Sequence, residues 1–399
     1  MDEIAKVLTR GVDKIYPSPQ MLEKVLRTGK KIRLYQGFDP TGIQLHIGHL
    51  AGLLKLKQFQ QLGHQVIFLI GDGTGQAGDP SGKSRTRDKF LDITQLRNNA
   101  GDYVRQAGKI IDFEGKNKAE ILFNSAWLNK LVLKDILEIA GHFSLAQLEE
   151  RDLYTERKKK GQDINFREFL YPLLQGYDSV AMKIDLEIGG TDQTFNMLAG
   201  RKLVREMLNR EKFVLTVPLL TDSQGNKIGK TEGNVIALTS PPNELFGLIM
   251  TLPDDVIVPA LTYITQVPLD EIEEIKSALQ KGENPLIYKK KLARQLVKML
   301  NSDSDSLTAQ HYFEDVFQKK LLSAEIPQVI ISRQNIPLVD FLLNNNLASS
   351  RSTAKRLIIQ KSVDINNQTV NEVNYLIKPE NGMLIKVGKH KYLKIKLRN

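Results

Sequence analysis

The sequence predicts an α/β protein whose main domain is a doubly wound parallel sheet, and three observations carry that prediction. A strand-like run, Lys31-Ile-Arg-Leu-Tyr35, breaks at the turn-rich Gly37-Phe-Asp-Pro-Thr41. From Ile47 to Leu62 apolar residues recur at helical spacing, with Gly63 placed to cap the end. Val66-Ile-Phe-Leu-Ile70 is then an unbroken apolar run of strand length that feeds a glycine-rich loop from Gly71 to Gly82. Strand, helix, strand and loop in that order build a parallel sheet whose ligands bind at the carboxyl ends of its strands.

The later elements follow the same logic. Helical patterns continue to residue 182, interrupted by the polar Arg157-Lys-Lys-Lys-Gly161, expected as a loop. Leu186-Glu-Ile188 is a further strand leading into Gly189-Gly-Thr-Asp-Gln193 and another helix, and Phe213 to Leu220 is the next apolar run. Residues 222–236 begin with a stretch too rich in glycine and charge for a core, so a mobile surface loop is expected there. Residues 243–320 carry helical periodicity and read as a separate all-α domain, followed by a linker at 321–333. The last segment, 334–399, pairs two short helical patterns, Leu338–Leu343 and Ser352–Ile359, with strand-like Val363–Ile365 and the alternating Leu384–Leu397 stretch. That is a small α+β domain.

Composition narrows the function. The 399 residues have room for two or three domains. The absence of cysteine excludes a disulfide framework, a cysteine-type zinc site, an iron–sulfur cluster and a thiol nucleophile. Met1-Asp-Glu-Ile-Ala-Lys6 lacks a basic start followed by an apolar run, and no stretch reaches the roughly 18 apolar residues of a membrane span. A cytoplasmic protein with no membrane partner is expected. The net charge of +10 suggests an anionic partner. It is unevenly spread: from Arg333 to Asn399 twelve Lys or Arg stand against four acids, a net of +8, leaving +2 for the preceding 332 residues. Arg351, Lys355 and Arg356 lie at i, i+4 and i+5, which groups cations on one helix face as an RNA footprint requires.

Three motifs carry chemistry. In Gly37-Phe-Asp-Pro-Thr-Gly-Ile-Gln-Leu-His-Ile-Gly-His49, two of the six histidines flank a glycine at the start of a helix. Three residues apart, His46 and His49 project from one face beside backbone amides that attract anions, and Gly48 leaves room for a flat base or ribose. Tyr171, Gln175 and Asp178 at i, i+4 and i+7 make a polar stripe suited to lining an amino-acid pocket. Gly82-Lys83-Ser84 mimics the end of a phosphate-binding P-loop, but the required glycine at 77 is alanine and Pro80 donates no amide.

The His46-Ile-Gly-His49 tetrad together with Lys227-Ile-Gly-Lys-Thr231 resembles the two signatures of the class I aminoacyl-tRNA synthetases. Tyr35-Gln-Gly-Phe-Asp-Pro-Thr41, Gly78-Asp-Pro-Ser-Gly82, Tyr171-Pro-Leu-Leu-Gln-Gly-Tyr-Asp178 and Gly189-Gly-Thr-Asp-Gln193, in that order, narrow the resemblance to the bacterial-type tyrosyl-tRNA synthetases over nearly the whole chain. The second signature departs from the common Lys-Met-Ser-Lys-Ser by Ile228, Gly229 and Thr231, keeping both lysines and a terminal hydroxyl. The basic tail is similar to the RNA-binding module of the S-four type.

The resemblance implies a Rossmann-like catalytic domain over 1–236, with a helical dimerisation insert at about 124–182, a tRNA-binding helical domain at 243–320 and an S-four-type domain at 334–399. It implies formation of tyrosyl-adenylate from L-tyrosine and ATP accompanied by Mg²⁺, then transfer of tyrosine to the terminal ribose of its tRNA, by a homodimer. No protein-held metal is expected, because no dense carboxylate cluster argues for one. Thr41 and His46 are implied to bind the phosphates, His49 and Gly48 the adenosine, and Gly190 and Asp192 the nucleotide, with Asp192 on the ribose. Gln193 and Asp39 fall near the tyrosine carboxylate and ribose. Lys227, Lys230 and Thr231 close over the pyrophosphate. Tyr35 and Asp178 are implied to take the substrate's phenol, and Asp79, Tyr171 and Gln175 its ammonium. Arg351, Lys355 and Arg356 face tRNA. A tryptophan-specific relative, a non-synthetase nucleotidyltransferase and an RNA-binding scaffold with a degenerate nucleotide site are the alternatives.

Overall fold

The apolar runs of the first 220 residues pair into one six-stranded sheet. This computed structural model describes residues 2–42, 44–79, 92–149, 152–228, 235–318, 327–332, 335–348, 350–366, 368–388 and 391–397. Its strands are β1 (Lys14–Tyr16), β2 (Arg33–Phe38), β3 (Gln65–Ile70), β4 (Glu120–Phe123), β5 (Leu186–Gly190) and β6 (Phe213–Val217), in the order β1-β6-β5-β2-β3-β4. All neighbours are parallel except β1, which runs antiparallel on β6. β3 is buried from Val66 to Ile70 and β6 along its whole length, as the non-alternating apolar runs of a sheet covered on both faces require.

The chain moves outward from β2 to β3 and β4, then returns to lay β5 on the other flank of β2. This reversal opens a crevice at the carboxyl ends of β2 and β5, and the polar residues that follow β2, β3, β4 and β5 gather at that edge. The helix expected from Ile47 opens as a single 3₁₀ turn, Ile47–His49, before the α-helix Leu50–Gln61. The His46 side chain accepts the Gly48 N–H and so tightens the first turn. Gly63, at φ +85°, turns the chain after that helix.

The Arg157–Gly161 stretch is not a loop throughout: Asp152–Lys159 is helical, and Arg157 is buried against Glu168 at 2.7 Å. A charge run here hides one cation because a carboxylate meets it.

Two compact units divide the chain, Met1–His311 and Tyr312–Asn399. Most of the helical segment expected at 243–320 lies in the first of these units. The Ile257–Ile264 helix packs on Leu50–Gln61. Arg10 donates to the carbonyls of Leu261 (3.1 Å), Thr262 (3.1 Å) and Thr265 (2.8 Å), groups a helix end leaves without partners.

In the second unit β7 (Gln328–Ile331), β8 (Ile336–Pro337), β9 (Val363–Ile365), β10 (Gln368–Val370), β11 (Leu376–Ile377), β12 (Leu384–Val387) and β13 (Lys391–Leu397) form a five-stranded sheet, β10-β9-β12-β13-β7, and a β8–β11 pair. The helices Leu338–Asn344 and Arg351–Ile359 enclose a core that includes Phe341, Leu342, Ile358, Val363, Ile385 and Ile395. Part of the expected 321–333 linker is a strand. Gln328–Ile331 pairs in parallel with β13 because Val329 and Ile331 pack on that core. Among the described residues no single helix is long and apolar enough to cross a membrane.

Candidate active site

One polar network runs through the crevice. Tyr171 donates its hydroxyl to Asp39 Oδ2 at 2.8 Å, and Thr74 donates to Asp39 Oδ1 at 2.8 Å. Asn124 Nδ2 donates to Thr74 Oγ1 (2.9 Å) and to Asp178 Oδ2 (3.1 Å), while Trp127 Nε1 donates to Asp178 Oδ1 at 2.7 Å. Residues after β2, β3 and β4 are thereby joined to one face of the Phe166–Ala181 helix. Gly71 is required by this crowding, since a Cβ there would lie 1.9 Å from Asp39 Oδ1. On the other side of the crevice Gln193 Nε2 donates to Asp79 Oδ2 at 2.8 Å, tying the loop after β5 to the loop after β3.

The electrostatics follow from burial. Asp178 is held well above the usual carboxylate range by desolvation, opposed by the N–H groups of Asn124 and Trp127. Burial, then the carboxylates of Glu187 and Asp178, push the Tyr35 phenol well above 10. Burial, then Asp39 and Asp79, do the same for Tyr171. Both phenols therefore stay protonated as hydrogen-bonding groups. Tyr35 contacts Ser179 Oγ at 3.0 Å, and Gln175 Nε2 donates to Glu187 Oε1 at 3.1 Å.

The histidine turn forms a second cluster. The rings of His46 and His49 lie 4.0 Å apart between centroids. His46 Nδ1 accepts the Gly48 N–H at 3.2 Å and His49 Nδ1 accepts the His46 N–H at 3.0 Å. Since Nδ1 accepts in each neutral ring, the proton sits on Nε2, and each imidazole offers an Nε2–H donor. This corrects the expectation that backbone amides face the anion. The Ile47 N–H goes to Ile236 O and the His49 N–H to His46 O, so the amides are consumed in holding the turn and the rings carry the donors.

The turn adjoins the lysine loop. His46 bridges Ala237, and a Cβ on Gly48 would meet His46 Nδ1 at 3.0 Å and Ile228 O at 3.4 Å. Lys227 pairs with Asp192 Oδ2 at 2.7 Å. With Lys227 42% and Asp192 26% exposed, the pair is weakly held. Thr41 is half-buried, its N–H on Asp39 O, and a Cβ on Gly190 would crowd Asp192 Oδ1 at 2.7 Å. Lys230 and Thr231, like Gly82, Lys83 and Ser84, lie outside the described residues. In the tail Lys355 and Arg356 are exposed on their helix, whereas Arg351, also exposed, is ion-paired with Asp340.

Sequence reasoning missed Thr74, Asn124, Trp127, Ser179, Glu187 and Lys212. The signals were faint: Trp127 is the only tryptophan, and Asn124 follows an apolar run of three residues, Ile121 to Phe123. Among the described residues no group of three or more His, Asp or Glu is placed to hold a metal ion.

Residues 27–318 match the family described as tRNA synthetases class I (W and Y), and residues 318–395 match the tyrosine--tRNA ligase SYY-like C-terminal domain. The chain is 39% identical over 409 residues to the tyrosine--tRNA ligase of Carboxydothermus hydrogenoformans, covering 99% of this chain and 98% of the relative. It is 38% identical over 396 residues to that of Thermotoga maritima, covering 99% and 97%. In fold it is similar to a C-terminally truncated mitochondrial tyrosyl-tRNA synthetase of Aspergillus nidulans, with a TM-score of 0.67, 23% identity and coverage of 79% of this chain and 94% of that one. It is also similar to the tyrosyl-tRNA synthetase complexed with L-tyrosine from Archaeoglobus fulgidus, with a TM-score of 0.61, 20% identity and coverage of 77% and 99%. The first family match spans tryptophan and tyrosine enzymes, but the tail match and these full-length relatives are tyrosine enzymes, which disfavours the tryptophan alternative. The chain belongs to the tyrosine--tRNA ligases, within the class I aminoacyl-tRNA synthetases.

Proposed function

We propose that this chain activates L-tyrosine with ATP to tyrosyl-adenylate and pyrophosphate, then transfers tyrosine to the terminal ribose of its tRNA. The observation that carries the reading is the joining of two unlike clusters in one crevice: a buried phenol–carboxylate network and a half-buried pair of imidazole donors beside a lysine loop. In the first step an oxygen of the tyrosine carboxylate attacks the α-phosphorus in line, and pyrophosphate leaves with the bond it carried. No side chain becomes covalently attached, so the protein's part is positioning and charge stabilisation.

Tyr35 and Asp178 meet the substrate's phenol, while Asp79, Tyr171 and Gln175 receive its ammonium. Asp39 and Gln193 lie beside its carboxylate and the ribose. Thr41 and the Nε2–H of His46 meet the phosphates; His49 and Gly48 fit the adenosine, and Gly190 leaves space for its sugar. Lys227 exchanges Asp192 for pyrophosphate oxygens, which releases the Asp192 carboxylate to the ribose hydroxyls, and Lys230 and Thr231 join it there. ATP enters as its Mg²⁺ complex. The helical segment and the basic tail, with Lys355, Arg356 and Arg351, dock the tRNA, and the reaction takes place in the cytoplasm. Mixing the chain with ATP and labelled tyrosine, without tRNA, should trap tyrosyl-adenylate on the protein; its absence would refute the reading.

A homodimer is part of the proposal. Val132, Leu133, Leu137, Leu145 and Phe166 are each at least 60% exposed within the 124–182 segment, an apolar surface that a lone chain leaves in water. Sedimentation should find two 45.1 kDa chains per particle, and Leu133→Asp combined with Leu137→Asp should give monomers. A monomeric parent protein would contradict the proposal.

A further inference from the structure

Behind the proposed amino-acid pocket lies an ion pair that the mechanism above does not use. Glu187 in β5 is 2% exposed and Lys212, just before β6, is fully buried. Lys212 Nζ donates to Glu187 Oε2 and, at 3.2 Å, to Met197 O. Room for the ammonium comes from Gly200, where a Cβ would lie 2.6 Å from Lys212 Nζ and 3.1 Å from Ser179 Oγ. A glycine inside the Thr194–Leu208 helix is a weaker helix former than alanine, and this packing is what it permits.

Stability alone explains such a pair poorly, because a buried ion pair replaced by apolar groups of similar volume is often as stable or more so. Its contacts suggest another purpose. A carboxylate only accepts hydrogen bonds. Glu187 Oε1 takes Gln175 Nε2 at 3.1 Å, and Oε2 takes the Ser179 hydroxyl at 3.4 Å beside the lysine. Ser179 has one proton and spends it on Glu187, so in its 3.0 Å contact with Tyr35 it must accept and Tyr35 must donate. The remaining lone pair of the Tyr35 oxygen is then an acceptor for a donor entering the pocket. With its amide nitrogen committed to Glu187, Gln175 presents its carbonyl oxygen, Oε1, which is buried and has no hydrogen-bond partner among the described residues. A substrate ammonium supplies the donor it lacks.

We infer that the Glu187–Lys212 pair fixes the direction of the hydrogen bonds at both ends of the pocket, so that the phenol end and the ammonium end each present acceptors. Glu187 and Lys212 are positioning residues for tyrosine selectivity. The inference rests on the proposed pocket and adds to it a cause for its polarity. Glu187→Gln keeps the shape but brings an amide that also donates, which lets Ser179 and Gln175 reverse. The unmet donor and acceptor at each end would then cost roughly 10- to 100-fold, or about 1.4–2.8 kcal/mol.

The test is tyrosine-dependent ATP–pyrophosphate exchange by the full chain, comparing Glu187→Gln, the double variant Glu187→Leu/Lys212→Met and Tyr35→Phe. For Glu187→Gln the KM for tyrosine should rise 10-fold or more with kcat within about threefold, and the tyrosine-over-phenylalanine ratio of kcat/KM should fall at least 10-fold. The double variant should keep a thermal midpoint near the parent's and lose the same selectivity, which separates direction-setting from folding. If Tyr35→Phe shifts selectivity but neither change at Glu187 does, the inference falls and the pocket stands. If Tyr35→Phe leaves both KM and the ratio unchanged, pocket and inference fall together. A lower thermal midpoint with an unchanged ratio in the Glu187 variants would also overturn the inference, reducing the pair to a structural role.

Discussion

Replacing His46 with alanine is expected to slow tyrosyl-adenylate formation roughly 10²- to 10³-fold while leaving the KM for tyrosine within about threefold of the parent. The His46 ring is pinned by the Gly48 N–H on its Nδ1, which leaves an Nε2–H donor fixed in place for the phosphates of the proposed reaction. A donor fixed in advance stabilises charge on the α-phosphoryl oxygens as it develops and loses nothing to reorganisation at that moment. The proposed tyrosine pocket is built from other elements, Tyr35 on β2 and Asp178 on the Phe166–Ala181 helix, so ground-state binding of the amino acid should not notice the change. Single-turnover quench-flow at saturating tyrosine measures this directly, and His46→Asn should fall between, since an amide restores one donor. An unchanged rate constant with a raised KM would move His46 from the transition state to substrate binding.

Ending the chain at residue 318 is expected to leave tyrosine-dependent exchange within about twofold and to cut tRNA charging by more than 10²-fold. The first compact unit closes at His311 and holds every described residue assigned to adenylation, whereas the tail concentrates the positive charge. Neutralising several phosphates releases counterions, which makes that affinity both large and salt-sensitive. Charging by the full chain should therefore fall steeply as salt rises, while exchange falls little. The cut belongs before Gln328 because β7 pairs with β13; removing only residues after 332 would strand an unpaired strand edge on the catalytic unit. Equal losses in both steps would mean that the tail supports adenylation and not docking.

Much of the fold was legible in the sequence because its signals are local. An unbroken run such as Val66 to Ile70 specifies a strand covered on both faces, and a glycine at position 63 specifies where a helix turns. The histidine turn was legible for the same reason, although the use of its amides was not: whether an N–H faces a ligand or a neighbouring ring depends on Ile236 and on the ring rotamers. Tyr171, Gln175 and Asp178 share one helix face by their spacing, and the family resemblance is what gives that face a pocket to line. Their partners were not legible, since Glu187 is a single acid in an otherwise apolar strand, and Lys212, 25 residues later, means nothing until β5 and β6 lie side by side. The boundary at 243 was drawn from a change in periodicity, yet Arg10, some 250 residues away in sequence, binds that helical segment to the sheet domain.

Selectivity for tyrosine has a physical basis: buried groups that expect a hydroxyl are left unpaired when phenylalanine enters. Tyrosyl-tRNA synthetases are themselves the reference case for this rule, with discrimination of about 10⁵ and no editing. ATP–pyrophosphate exchange with each of the twenty amino acids measures this selectivity. Exchange should depend on tyrosine, with phenylalanine and tryptophan at least about 10³-fold weaker in kcat/KM. Efficient exchange with tryptophan, or none with tyrosine, would contradict it.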